Sequence, residues 1–160
     1  MSIFDPPEKG LKEIAALAAV TQKAEIAIVE SADPSVTAIR IADLAPQDRP
    51  VIRWDTKTFK KYDAAGSMYQ LSKLPKEPKP IVIIENIAGI PDGDRNTYDD
   101  PALVENILLH SWKNDTIQLT YKDVPFQMNK RDYTVIFPTQ PGDIEKLHFR
   151  IANGFRIVAL

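Results

Sequence analysis

Residues 24–42 read AEIAIVESADPSVTAIRIA, and the fold turns on how this stretch is divided. The apolar run at 26–29 predicts a short buried strand. A polar loop follows, and apolar Ile39, Ile41 and Leu44 predict a helix over about 36–44 that Ser35 can cap. The loop between them, Glu30 to Thr37, has the length and position of a phosphate-binding loop. Such a loop needs Gly so that backbone N–H groups approach the phosphates, and Lys to reach the outer ones. Here Glu30, Asp33 and Ser35 stand at Gly positions and Val36 at the Lys position; only Thr37 fits. Two carboxylates would face a polyphosphate with no local cation, at a cost of roughly several kcal/mol at low effective dielectric.

Outward from this stretch, the order of elements is regular. Leu11, Ile14, Ala15, Leu17 and Ala18 recur at helical spacing and predict a helix near 9–21. Downstream, a second strand is expected at 51–54. A helix over 57–71 follows, capped by Thr56 and carrying Phe59, Tyr62, Met68 and Leu71. Residues 72–80 (SKLPKEPKP) form a proline-lysine loop, and 81–87 (IVIIENI) give the clearest buried strand of the chain. Pro101 suits the first turn of a helix over about 101–114, with Leu103, Val104, Ile107, Leu108 and Trp112 mostly on one face. Residues 117–121 and 124–128 alternate around Lys122-Asp123 in a hairpin pattern. A strand at 132–137, a helix over 142–153 and a last strand at 155–160 close the chain. Strands alternating with helices imply a mostly parallel, right-handed wound α/β sheet.

At 160 residues, one domain spanning 1–160 is expected, long enough to bury a full core. The 44% apolar and 26% charged fractions fall in the range of globular proteins. A net charge of −2 argues against nucleic-acid binding by overall field alone. No apolar run is long enough to span a bilayer, and the first residues lack a basic and then apolar leader, so a cytoplasmic location is expected. Zero cysteines exclude disulfides and thiolate metal sites. Thirteen prolines against six glycines make for firm connections, whereas a nucleotide-gripping protein is more often glycine-rich at its loops.

In this order, the chain resembles the core α/β subdomain of an AAA+ ATPase of the MoxR-like branch. The resemblance covers about residues 11–160 and rests on order and spacing. The loop at 30–37 stands where the family has its phosphate loop. IVIIENI resembles the second nucleotide motif, with Glu85 in place of the magnesium-orienting Asp and Asn86 in place of the Glu that activates water. Residues 108–140 resemble the family's helix ending in Leu-Leu, its hairpin and the strand after it, placing Gln140 near the polar residue that senses the γ-phosphate. Residues 147–158 resemble its helix and turn into the last strand, with Gly154 where a trans-acting arginine finger is expected.

The resemblance implies a three-layer α/β/α P-loop NTPase-like fold with a mostly parallel sheet, a β-hairpin insertion and no helical lid. It also implies that the phosphate-loop Gly and Lys, the catalytic Glu and the finger Arg are missing together. These parts act as a unit in phosphoryl transfer, so a catalytically inactive scaffold or adaptor is expected, with no catalytic residues and no cofactor. Its partner would be a protein, such as an active AAA+ ATPase or a second copy. One alternative is a divergent nucleotide-binding protein or slow ATPase, holding ATP and magnesium through Thr37, Glu85 and Gln140.

Other candidate sites are weaker. Glu30, Asp33, Glu85 and Asn86 are expected at the carboxyl ends of the strands, where such sheets bind ligands; a divalent cation could sit there, but solvated strand ends are the plainer reading. Residues 92–100 (DGDRNTYDD) begin like a calcium loop, with Asp92, Asp94 and Asn96 in register. Thr97 replaces the turn Gly and Leu103 the closing Glu, so a solvated acidic loop is favoured. His110 and His148 have no ligand spacing around them. Lys57, Lys60, Lys61, Lys73, Lys76 and Lys79 beside Tyr62 and Tyr69 could serve a nucleic-acid accessory factor, against a solvated face as the plainer alternative. The hairpin offers Ile117, Leu119, Tyr121, Val124 and Phe126 as a partner surface, with core packing as the competing reading.

Overall fold

The computed structural model describes residues 7–22, 25–58, 63–87, 101–146 and 155–160. Its strands are β1 (Ile26–Glu30), β2 (Val51–Asp55), β3 (Ile81–Glu85), β4 (Thr116–Tyr121), β5 (Val124–Asn129), β6 (Thr134–Thr139) and β7 (Arg156–Ala159). The helices are α1 (Pro7–Gln22), α2 (Pro34–Leu44), α3 (Asp63–Ser72) and α4 (Pro101–Leu108).

The apolar runs become central strands because successive side chains point to opposite faces and both faces are covered. Ile26 and Ile28 of β1, Val82 and Ile84 of β3, and Val135 and Phe137 of β6 enter one core. Ala27 and Val29, Ile81 and Ile83, and Ile136 enter the other. Leu17 and Val20 of α1 with Ala38 and Ile41 of α2 close the second core. Met68 and Leu71 of α3, Ile107 and Leu108 of α4, and Trp112 close the first. Each large side chain fully removed from water here contributes about 1.5–3 kcal/mol.

Five strands form one parallel sheet in the order β2-β3-β6-β1-β7. The register sets Glu30 beside Thr139 and Asp55 beside Glu85. From β1 the chain crosses to the sheet edge through α2, then returns through α3 and α4. Parallel crossovers share one hand, so reversing direction moves the connecting helix to the opposite face. The two cores hold α2 and the α3–α4 pair on opposite faces accordingly.

The expected hairpin forms outside this sheet as antiparallel β4–β5. Lys122 and Asp123 both take positive φ, 48° and 63°, as a two-residue turn of the type that matches strand twist requires. Ile117 and Met128 point into the α3–α4 core, with Leu119 and Phe126 packed against it. Tyr121 lies against α3, where its ring stands 3.1 Å from the Cβ position of Gly66 and 5.4 Å from the Tyr69 ring.

Several expected boundaries move. The helix placed at 36–44 begins at Pro34, capped by Asp33 rather than Ser35. The segment expected as one helix from 57 opens as a 3-10 turn, Thr56–Thr58, and the described helix runs Asp63–Ser72. The helix expected over 101–114 ends at Leu108 and tightens into a 3-10 turn, His110–Lys113, which turns Trp112 fully inward. The strand expected at 132–137 runs Thr134–Thr139. Only a 3-10 turn, Asp143–Lys146, is described of the helix expected over 142–153. Among the described residues no helix is long and apolar enough to cross a membrane.

Candidate functional site

The polar residues singled out in the sequence gather at the carboxyl ends of β1, β2, β3 and β6. At β1 and β6 the connections leave toward opposite faces, since α2 belongs to one core while Ile144, just after β6, packs on the other. Open α/β sheets bind ligands at such a switch point. β3 pairs with β6 only from Ile81↔Thr134 to Ile83↔Ile136, short of Pro138. Pro138 has no N–H to offer a ladder.

The β1–α2 connection departs from the expected phosphate loop. Only Ser31, Ala32 and Asp33 separate strand from helix, so Pro34 to Thr37 lie within α2 rather than in a loop. Pro34 in the first turn tolerates the missing intrahelical donor, and Asp33 in extended conformation supplies the cap. Its Oδ1 accepts from Val36 N at 3.2 Å. The anion-binding end of α2 therefore already carries a carboxylate of its own. Ser35 and Val36 face outward from the helix, and Val36 is 39% exposed. Thr37 is buried, its hydroxyl 2.6 Å from Ser31 Oγ and 3.1 Å from the Asp33 carbonyl. Glu30 ends β1 half-buried, and its carbonyl accepts from Leu160 N at 2.9 Å. Ser31 N donates to the Thr139 carbonyl at 2.8 Å, which holds the turn against β6.

The second group forms across β2 and β3. Arg53 grips the nearly buried Glu85 carboxylate, with Nη2 at 2.9 Å from Oε2 and 3.1 Å from Oε1, and Nε at 3.2 Å from Oε2. A fork of this kind fixes carboxylate orientation as well as charge. Asn86 takes a positive φ of 62°, a conformation asparagine adopts more readily than most residues. Its Nδ2 donates to Asp55 Oδ1 at 2.8 Å, while its carbonyl accepts from Thr56 Oγ1 at 2.6 Å. Asp55 Oδ1 also accepts from Lys57 N at 3.0 Å. Gln140 is exposed beyond β6, and its N–H donates to Asp143 Oδ2 at 3.0 Å. Thr139 Oγ1 is buried with no hydrogen-bond partner.

Glu30, Asp33, Thr37 and Gln140 thus lie around β1 and β6, and Glu85 and Asn86 at the end of β3. The side chains of Asp33, Thr37, Glu85 and Asn86 are each engaged by a neighbour rather than turned toward a shared centre. Among the described residues, no three His, Asp or Glu side chains are assembled to hold a metal ion. Sequence reading missed Arg53 and Asp55. A charged residue inside the strand VIRWD was the available signal, but its partner lies 32 residues away and only the strand order brings them together.

The remaining candidates separate clearly. Ile117 is 1% exposed, so it offers no surface, and Leu119, Tyr121 and Phe126 pack inward. Of the five hairpin residues, Val124 alone is largely open, at 49%. His110 is buried inside the protein with Nε2 3.1 Å from Glu105 Oε2. Lys73 Nζ lies 4.9 Å above the Tyr69 ring, whose edge and other neighbours are Tyr121 and Phe126. That covering leaves Tyr69 little face for a base to stack on. Lys76 pairs with Asp132 at 3.8 Å. Lys60, Lys61, Tyr62, the acidic stretch 92–100, His148 and Gly154 lie outside the described residues.

The amino end of the sheet holds a different arrangement. Arg49 donates through Nε to the Lys79 carbonyl at 2.7 Å, through Nη2 to Thr134 Oγ1 at 2.8 Å, and through Nη1 to the Thr21 carbonyl. Burial lowers its pKa from the ordinary arginine value, opposed by nearby Asp48. Tyr133 is fully buried, its hydroxyl unpartnered and its ring 5.7 Å from Trp112. Burial pushes the Tyr133 hydroxyl up to about 12, with Asp132 adding to the rise.

No known protein-family model matches the chain, and none of the curated proteins matches its sequence.

Proposed function

We propose that the chain is a catalytically inactive AAA+-like scaffold that works by binding a protein partner. The observation that carries this reading is the Asp33 carboxylate seated on the N-terminus of α2, behind a turn of only three residues. A polyphosphate there would lack a loop of free amides and would meet a fixed negative charge. Like charges about 4 Å apart repel by about 4 kcal/mol at an effective dielectric near 20. Three further features support the reading. Thr37 is turned inward to Ser31 instead of toward a metal, and Glu85 is neutralised by Arg53. At the position of the water-activating acid, Asn86 has no basic group and spends its amide on Asp55.

Calorimetric titration with ATP and magnesium tests this directly. No binding heat is expected up to millimolar ATP. Binding at micromolar ATP would overturn the scaffold reading and direct attention to Thr37→Ala and Glu85→Ala.

A further inference from the structure

We propose that the partner is a second copy of this chain, docked through the outer face of α1 and α2; this rests on the scaffold reading above. Four large apolar side chains stand open on that face: Leu11 at 67%, Ile14 at 43%, Ile39 at 49% and Val36 at 39%. Leu11 and Ile14 are three residues apart on α1, and Val36 and Ile39 three apart on α2, so each pair forms a ridge along its helix. Between the helices lies a hollow of about 220 Å³ lined by Gly10, Glu13, Ile14, Arg40, Asp43 and Leu44. Arg40 Nη1 bonds Glu13 Oε2 at 3.2 Å across it and holds its shape.

A contact between identical copies about a two-fold axis requires one patch to carry both a feature and its complement. This patch does so twice. Leu11 protrudes beside a hollow with room for an aliphatic side chain, so each copy can seat its leucine in the other's hollow. Lys12 on the α1 side and Asp43 on the α2 side are both exposed and opposite in charge. A two-fold axis laying α1 of one copy over α2 of the other sets each lysine against the other copy's aspartate. A partner of one dominant charge would find no matching field on a face that carries both signs.

Sedimentation of the full chain from about 1 µM to about 1 mM detects a dimer that dissociates within that range. A monomer–dimer equilibrium is expected. Leu11→Glu should weaken it about tenfold or more, because it removes the aliphatic contact and sets a carboxylate beside Glu13 and Asp43 of the other copy. Lys12→Glu should weaken it about twofold to fivefold, and Lys12→Glu combined with Asp43→Lys should restore it. All of these positions are exposed, so dilute samples should keep their unfolding midpoint. A chain that stays monomeric throughout overturns the inference and leaves the face to a partner of different sequence. A dimer indifferent to Leu11→Glu overturns it too, by placing the contact elsewhere. Neither result touches the scaffold reading, which stands or falls by the ATP titration.

Discussion

The two ends of the same sheet solve the problem of polar groups in opposite ways. At the carboxyl end, four side chains are satisfied by close neighbours: Asp33 by the first turn of α2, Thr37 by Ser31, Asn86 by Asp55 and Glu85 by Arg53. At the amino end, one residue does the joining. Arg49 ties the end of α1, the approach to β3 and the start of β6, three segments far apart in sequence. Pairwise closure makes this part of the carboxyl end self-contained. A single clasp makes the amino end a point of concentrated stability.

Substitution sharpens that contrast, beginning with the clasp. Arg49→Ala removes three hydrogen bonds from a charged donor and strands two carbonyls, so a loss of about 3 kcal/mol is expected in chemical denaturation. A loss below about 1 kcal/mol would break the comparison, because the amino end would then be no more concentrated than the carboxyl end. Asp33→Ala removes a single cap and should lower stability by about 1 kcal/mol, read by the same method. It should leave ATP binding undetected, since the short turn remains.

Tyr133→Phe should have the smallest effect in neutral buffer, between no change and a gain of about 1 kcal/mol, because the lost hydroxyl has no partner. Its pH dependence carries more information. The folded-state pKa of Tyr133 is raised to about 12 from the ordinary 10.0, so the folded state binds its proton more tightly than the unfolded chain does. The corresponding stability is fully present below pH 10 and is lost as pH rises toward 12. Thermal melts between these limits should fall more steeply for the parent chain than for Tyr133→Phe, and equal slopes would place the hydroxyl in contact with water.

Much of the fold was legible because it depends on local pattern. The runs IAIV, IVII and TVIF read as strands buried on both faces, and all three lie at the centre of the sheet. The hairpin was legible from two alternating segments flanking Lys122-Asp123. Which of its faces was free was not legible: alternation fixes that Ile117, Leu119 and Tyr121 share a side, while only the placement of α3 decides that this side is covered. The phosphate-loop expectation went astray on a local competition. Asp33-Pro34 and Ser35 are both acceptable helix starts, and choosing the later one, with β1 ended at Val29, lengthened the connection from three residues to six.

By itself, the sequence determined the alternation of strands and helices, the absence of Gly and Lys from residues 30–37, and the two-residue hairpin turn. These follow from side-chain chemistry and backbone preferences that act over a few residues. Tertiary structure alone decided that Glu85 meets Arg53, that Asn86 meets Asp55, and that Arg49 reaches three segments at once. Such partnerships depend on strand order and register, and in a parallel sheet these are set by crossovers whose ends lie tens of residues apart.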